Sequence, residues 1–203
     1  MRILVLEYHG VSFWSRSIRR VTGYHETHTA VMRVEDYALF DLSLAATGYP
    51  VLEAWKGHGV ALAANASINH AAGTPVDVYQ VACTLDHSAA WLVGLNHIGR
   101  PYDWASIWRW ATGRQFQEQG NPKADFCSEL AFIMLRAGSA RVLRCLPHQV
   151  CPGMIPLSFD VTKIGSFKTV KAVPQHTPAQ LRKLARVPRK PKPIQLREAL
   201  DAC

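Results

Sequence analysis

Between Asn121 and Gly138 the chain passes from a polar, turn-forming approach, Asn121-Pro122-Lys123-Ala124-Asp125, into the apolar run Leu130-Ala131-Phe132-Ile133-Met134-Leu135-Arg136. The junction is Phe126-Cys127-Ser128-Glu129, and the run reads as a helix that stops at Gly138. Any fold for this chain must therefore set Cys127 in the first turn of a helix. The positive end of the peptide dipoles favours thiolate over thiol there, and the thiolate is the nucleophile. The competing reading is a buried structural thiol, since free cysteine is among the most buried residue types.

At 203 residues, with 48% hydrophobic and 19% charged residues, the chain suits one soluble, well-buried domain with an appendage. No apolar run approaches the roughly 18–20 residues a bilayer crossing needs. Met1-Arg2-Ile3-Leu4-Val5-Leu6-Glu7 meets an acid too early for a secretory signal and reads as a first strand, which implies a cytoplasmic start. The five cysteines, Cys83, Cys127, Cys145, Cys151 and Cys203, are odd in number and irregularly spaced, against a disulfide framework. No CxxC pair suggests a zinc ribbon, and no metal or cofactor is expected.

The net charge of +8 is unevenly placed. Arg182, Lys183, Arg186, Arg189, Lys190, Lys192 and Arg197 face only Glu198 and Asp201 at the C-terminal end, so the body carries about +3. From Pro174 onward Pro, Lys and Arg dominate, which places a folded domain over 1–173 and a basic tail over 174–203. That tail fits contact with nucleic acid or an anionic surface, and equally a solvated extension; its prolines disfavour a long helix.

Alternation of β-forming residues predicts strands at Ile3–Glu7, Thr27–Val34, Pro50–Trp55 and Val76–Cys83, with another within 161–173. Asp36–Leu42 reads as a strand or a turn-rich crossing. Helical spacing marks Phe13–Thr22, ended by Gly23, a segment through Ala89–Leu95 capped by Asp86 or Ser88, and Trp104–Ala111. The stripe containing Trp104 and Trp108, with Trp110 beside it, suits an acyl-binding wall, although such stripes are more often core.

A cysteine nucleophile needs a base and a group that orients the base. Of nine histidines, His28 opens the strand Thr27–Val34, and Glu53 is an acid inside an otherwise apolar strand, where a buried carboxylate demands a partner. By spacing this is one option among several: His25 lies three residues earlier, and Glu53 equally suits an ion pair with an arginine. His25-Glu26-Thr27-His28 is not the HExxH zinc motif, because the second histidine comes at i+3. Glu129 suits the helix N-terminus electrostatically, and Asp125 is a candidate cap for the same helix.

Four segments resemble, in order, the circularly permuted relatives of the NlpC-type papain-fold cysteine peptidases and amidases, a group more distantly similar to lecithin:retinol acyltransferase. They are Ser17–Gly23 with Thr27-His28-Thr29-Ala30-Val31, Leu52-Glu53-Ala54 with Gly59-Val60, Gly99-Arg100-Pro101-Tyr102-Asp103, and Phe126-Cys127-Ser128-Glu129-Leu130. A weaker echo is Cys151-Pro152-Gly153-Met154-Ile155. Thr27 departs from the family's usual serine, and Asn65–Gly73 matches nothing in the pattern.

The resemblance covers residues 1–172 and implies an α+β papain-like (permuted NlpC-type) fold, with helices packed on a small antiparallel sheet. It implies Cys127 as nucleophile, His28 as base and Glu53 as its orienting group. It also puts Tyr102, Asp103 and Ser128 at the substrate cleft, where Tyr102 and Asp103 suit a turn-and-cap role as well. The expected activity is thiol-dependent hydrolysis by acyl transfer on an amide, isopeptide or ester bond, such as a cell-wall peptide or an acylated compound. A wall substrate would require a phage-encoded or lysis-released protein. The rival expectation is a non-catalytic binding module with a papain-like cleft and a basic tail on nucleic acid or an anionic surface.

Overall fold

The computed structural model describes residues 1–82, 84–112, 114 and 120–171; Cys83, Cys203, the boundary at 173 and the basic tail lie outside them. The described chain is α+β, with one six-stranded antiparallel sheet and four α-helices. In chain order these are β1 (Arg2–Tyr8), α1 (Phe13–Thr22), β2 (His28–Val34), β3 (Val51–Trp55), β4 (Gly59–Ala63), β5 (Pro75–Val81), α2 (His87–Asn96), α3 (Trp104–Ala111), α4 (Cys127–Ala137) and β6 (Val161–Lys168). The sheet order is β4-β3-β2-β1-β5-β6. The crossing after β2 is not a strand: Asp36 and Asp41 cap two short 3₁₀ turns through the amides of Ala38 and Ser43.

Side chains alternate across the strands, and both faces of the sheet are covered. One face carries Ile3, Val5, Val31 and Leu52 into a core with Trp91 of α2 and Leu130, Met134 and Leu135 of α4. The other carries Leu4, Leu6, Tyr8, Ala30 and Met32 under Ala45, Ala66 and the aromatic rings of the turn-rich crossing. α2 meets α4 at Gly94, where a Cβ would run into Met134 and Leu52. That close approach seats α4 on β2 and β3.

α1 forms where its periodicity predicts. Ser12 accepts a hydrogen bond from the Ser15 amide at its start, and Gly23 ends it in the left-handed region with φ 76°. None of its residues is buried. No helix among the described residues is long and apolar enough to cross a membrane.

Candidate active site

The segments around the site are tied together by backbone hydrogen bonds. Gly59 adopts φ 67°, and a side chain there would collide with the Arg100 carbonyl. This allows β4 to grip the following turn, with Val60 N–H donating to Arg100 O at 2.9 Å and Gly99 N–H to Val60 O at 2.9 Å. The turn in its turn holds the approach to α4: Asp125 N–H donates to Pro101 O at 3.1 Å and Asp103 N–H to Asp125 O at 3.1 Å. Tyr102 is thereby fixed next to the start of α4.

Cys127 is the first residue of α4, 3% exposed, with Phe126 at the cap position in extended backbone. His28 heads β2, and its Nε2 lies 2.7 Å from Glu53 Oε2 on β3. The imidazole also interacts with the Cys127 sulfur, so His28 stands between the thiol and the acid. His28 and Glu53 share the sheet face opposite α4, and His28 meets Cys127 at the start of β2. His25, the alternative base, is exposed on the preceding loop.

The electrostatics favour an ion pair. Burial disfavours charge on both partners. On His28 the neighbouring Cys127 and Glu53 outweigh burial and push the imidazole up to about 10. On Cys127 the charge and hydrogen bond of His28, with backbone hydrogen bonds at Thr29 and Ser128, outweigh burial and bring the thiol below its ordinary value. Glu53 is also buried, yet hydrogen bonds and charge from His28 and His70 hold its carboxyl well below the usual carboxylate range.

Glu53 has no arginine partner among the described residues. Asn69 donates to its Oε1 at 2.6 Å, and His70 Nε2 lies 3.3 Å from its Oε2. Both come from the loop Asn65–Gly73, for which the sequence patterns assign no role. His70 is stacked on Tyr8, ring centroids 3.8 Å apart at 11°, which fixes its ring plane. The only sequence signal for this pair was that a carboxylate has two oxygens to satisfy and His28 takes one. Which polar residue in that loop would complete the set depends on the loop's path.

The remaining expected cleft residues are placed differently. Tyr102 is half-buried, lines the cleft and interacts with Cys127; burial and the thiolate raise its own pKa well above the usual value, so it keeps its proton. Asp103 is buried and caps α3, accepting from the Ser106 amide at 3.1 Å and the Ser106 hydroxyl at 2.5 Å. Its carboxylate is spent on that cap, which is the turn-and-cap alternative. Ser128 is fully buried, and its hydroxyl donates to Val150 O at 2.7 Å, anchoring α4 to the Cys151 segment. The serine contributes its backbone to the thiolate, while its side chain points into the core.

Asp125 does not cap α4. His97 Nδ1 lies 2.9 Å from its Oδ2 and Arg100 3.6 Å from its Oδ1, which draws its charge toward those partners. Glu129 does lie at the helix start, with its Oε2 3.5 Å from the Phe126 amide. Burial and the nearby Asp125 raise it to about 8, so at neutral pH it is mostly uncharged and adds little negative field. Glu7, fully buried on β1, accepts from the Thr29 hydroxyl at 2.8 Å and is pushed up chiefly by burial. Cys151 is raised to about 12 and Cys145 is raised too, both mainly by burial, which leaves them as thiols.

His28, Glu53 and His70 present ligand atoms within 4.8 Å of one another, a donor set a transition metal would accept. The 2.7 Å contact between His28 and Glu53 leaves no room for an ion between that pair. His9, Glu26 and Asp77 form a second such group, but Asp77 is already engaged by Lys163 at 2.8 Å and Ser166 at 2.6 Å.

A cleft of about 90 Å³ opens beside His28, walled by Tyr8, Trp55, His70, Tyr102 and Trp104. Comparison of the chain with protein-family models and with curated proteins finds no match.

Proposed function

We propose that the protein is a cysteine hydrolase of permuted, NlpC-type papain-like architecture that acts by acyl transfer on an amide or ester bond. The observation that carries this reading is the unbroken relay from Cys127 through His28 to Glu53, its second link 2.7 Å long, at the start of a buried helix. Structural cysteines seldom combine a lowered thiol pKa with a hydrogen-bonded imidazole whose far nitrogen is held by a carboxylate.

The Cys127 sulfur adds to the substrate carbonyl carbon, and the oxygen takes up the negative charge. Donors for that oxygen are the backbone N–H groups at the start of α4 and the Tyr102 hydroxyl, which keeps its proton. Collapse of the adduct breaks the bond to the leaving nitrogen or oxygen, which takes the His28 proton and departs. The acyl group is then a thioester on Cys127. Water attacks it as His28 removes a proton, the carboxylic acid leaves, and the sulfur–imidazolium pair is restored. Glu53, with Asn69 and His70 behind it, keeps the imidazole in one orientation throughout.

The test uses the full chain against p-nitrophenyl esters and peptide and isopeptide amides, with iodoacetamide labelling across pH. Cys127 should react well below pH ~8.5, the range of an ordinary thiol. Cys127→Ala should lower turnover by roughly 10⁴-fold or more. Labelling confined to alkaline pH together with unchanged turnover in Cys127→Ala would sink the reading.

A further inference from the structure

Beside the cleft runs a second hollow, about 270 Å³, between α1 and α3. Two amphipathic helices meeting face to face normally interdigitate their apolar side chains. These do not. Phe13, Trp14, Ile18 and Val21 of α1 face Ile107 and Trp108 of α3 across open space. Phe13 is 70% exposed and Trp108 63%, and no charged side chain lines the hollow. Exposing so much aromatic surface is unfavourable in water, and a contiguous patch of this kind marks a binding surface.

The hollow is continuous with the cleft. Trp14, Ile18, Trp104 and Ile107 belong to the walls of both. Trp104 is the hinge of that wall, its ring centroid 5.1 Å from Tyr102 on the cleft side and 5.5 Å from Trp14 on the groove side. Tyr102 itself lines the cleft beside His28 and interacts with Cys127. An acyl group bonded to the sulfur would therefore have an apolar path leading away from the carbonyl, past Trp104 and into the groove. Trp110 backs the hollow from the core: its indole N–H donates to His148 O at 3.1 Å and its ring packs on Phe126.

We propose that the α1–α3 groove is the acyl-chain subsite of the enzyme, taking a linear aliphatic chain of roughly eight to ten carbons at the ~30 Å³ a water-sized group occupies. The proposal rests on the hydrolase reading and narrows its substrates to esters or amides of medium-chain carboxylic acids. Apart from the Ser17 and Thr22 hydroxyls the lining is apolar, which offers a peptide backbone few hydrogen-bond partners, whereas a polymethylene chain needs none.

The experiment measures kcat/KM of the full chain on p-nitrophenyl acetate, butyrate, octanoate and decanoate. Specificity should climb about two- to fourfold for each added methylene and level off near ten carbons. Val21→Asp and Trp108→Ala alter exposed groove residues, so both should keep the wild-type melting profile while the decanoate-to-acetate ratio collapses. Binding is read separately, as the change in tryptophan fluorescence when N-decanoylglycine is added to Cys127→Ala. Delivering the decanoate ester free in solution or in phosphatidylcholine vesicles shows where the chain is drawn from, and a preference for either supports the subsite.

A flat chain-length profile with Cys127-dependent acetate turnover would overturn the groove and leave the hydrolase standing. Binding of N-decanoylglycine without Cys127-dependent turnover would do the reverse. Faster turnover of a phenylacetyl ester than of the octanoyl ester would also overturn the proposal, assigning the groove to an aromatic group.

Discussion

α4 and α1 are helices of nearly equal length, 11 and 10 residues, and both have apolar residues at helical spacing. Eight residues of α4 are buried, and none of α1 is. α4 lies against the sheet and α2, and its start is enclosed by hydrogen-bonded partners; α1 lies over a gap. On the proposed reading, the difference separates two jobs in one site. Chemistry demands a sulfur, an imidazole and a carboxylate held to fractions of an ångström, which only a packed element provides. Accommodation of a chain demands apolar surface that the protein itself leaves unfilled.

That contrast can be broken in four ways. The largest effect should come at the start of α4, from His28→Ala. Turnover should fall by about 10⁴-fold, and the sign of the thiol shift should invert. The cation that lowers Cys127 is gone and burial, which raises it, remains. Iodoacetamide labelling of Cys127 in that variant should therefore require alkaline pH, while in the wild type it proceeds below the ordinary thiol range. The wild-type pH–rate profile should rise as the thiol ionises and fall as His28 deprotonates near pH 10. A profile unchanged by removing His28 would mean that the two titrations are independent.

Next is the body of α4. Phe132 is fully buried, and Phe132→Ala should cost about 3–5 kcal/mol in urea denaturation. Smaller again is the support behind Glu53. His70→Ala removes one charge-assisted hydrogen bond and should lower kcat roughly tenfold with KM little changed. It should also move the alkaline limb of the pH profile upward, since His70 and His28 share Glu53 Oε2 and the oxygen would then serve His28 alone. A purely structural role for His70 would shift the melt and leave that limb in place. Smallest is α1: Val21→Ser, at a 44% exposed site, should change stability by no more than about 0.5 kcal/mol. A loss approaching that of Phe132→Ala would show that α1 is packed after all.

Much of this architecture was legible before any coordinates. The strands that position His28 and Glu53, the helix beginning at Cys127, and the helices over Phe13–Thr22 and Trp104–Ala111 all follow from periodicity and end signals. These are local preferences, and they survived folding because no tertiary contact opposed them. The two aspartates show what sequence leaves open: Asp125 does not cap α4, and Asp103 takes the turn-and-cap role of its two readings. Asp125 has the residue type and position of a cap, but His97 and Arg100 arrive from the preceding turn and claim it. Asp103 stands in a turn beside the cleft and is consumed by Ser106. A side chain's chemistry is visible in sequence; the partner that captures it is not.

By itself, then, the sequence determined an α+β chain with a cysteine at a helix start, a histidine at a strand start and an acid on an apolar strand. The family resemblance grouped these three; tertiary structure decided how they meet at the start of β2, because contact between residues about 25 and 99 positions apart depends on sheet order and register. It also decided that Asn69 and His70 complete the acid's hydrogen bonds, and that α1 and α3 meet at Trp14 and Trp104 but leave a hollow beyond that contact. Helical periodicity reports which face of a helix avoids water. What covers that face depends on how closely the neighbouring element can approach, and here it leaves room beside the cleft.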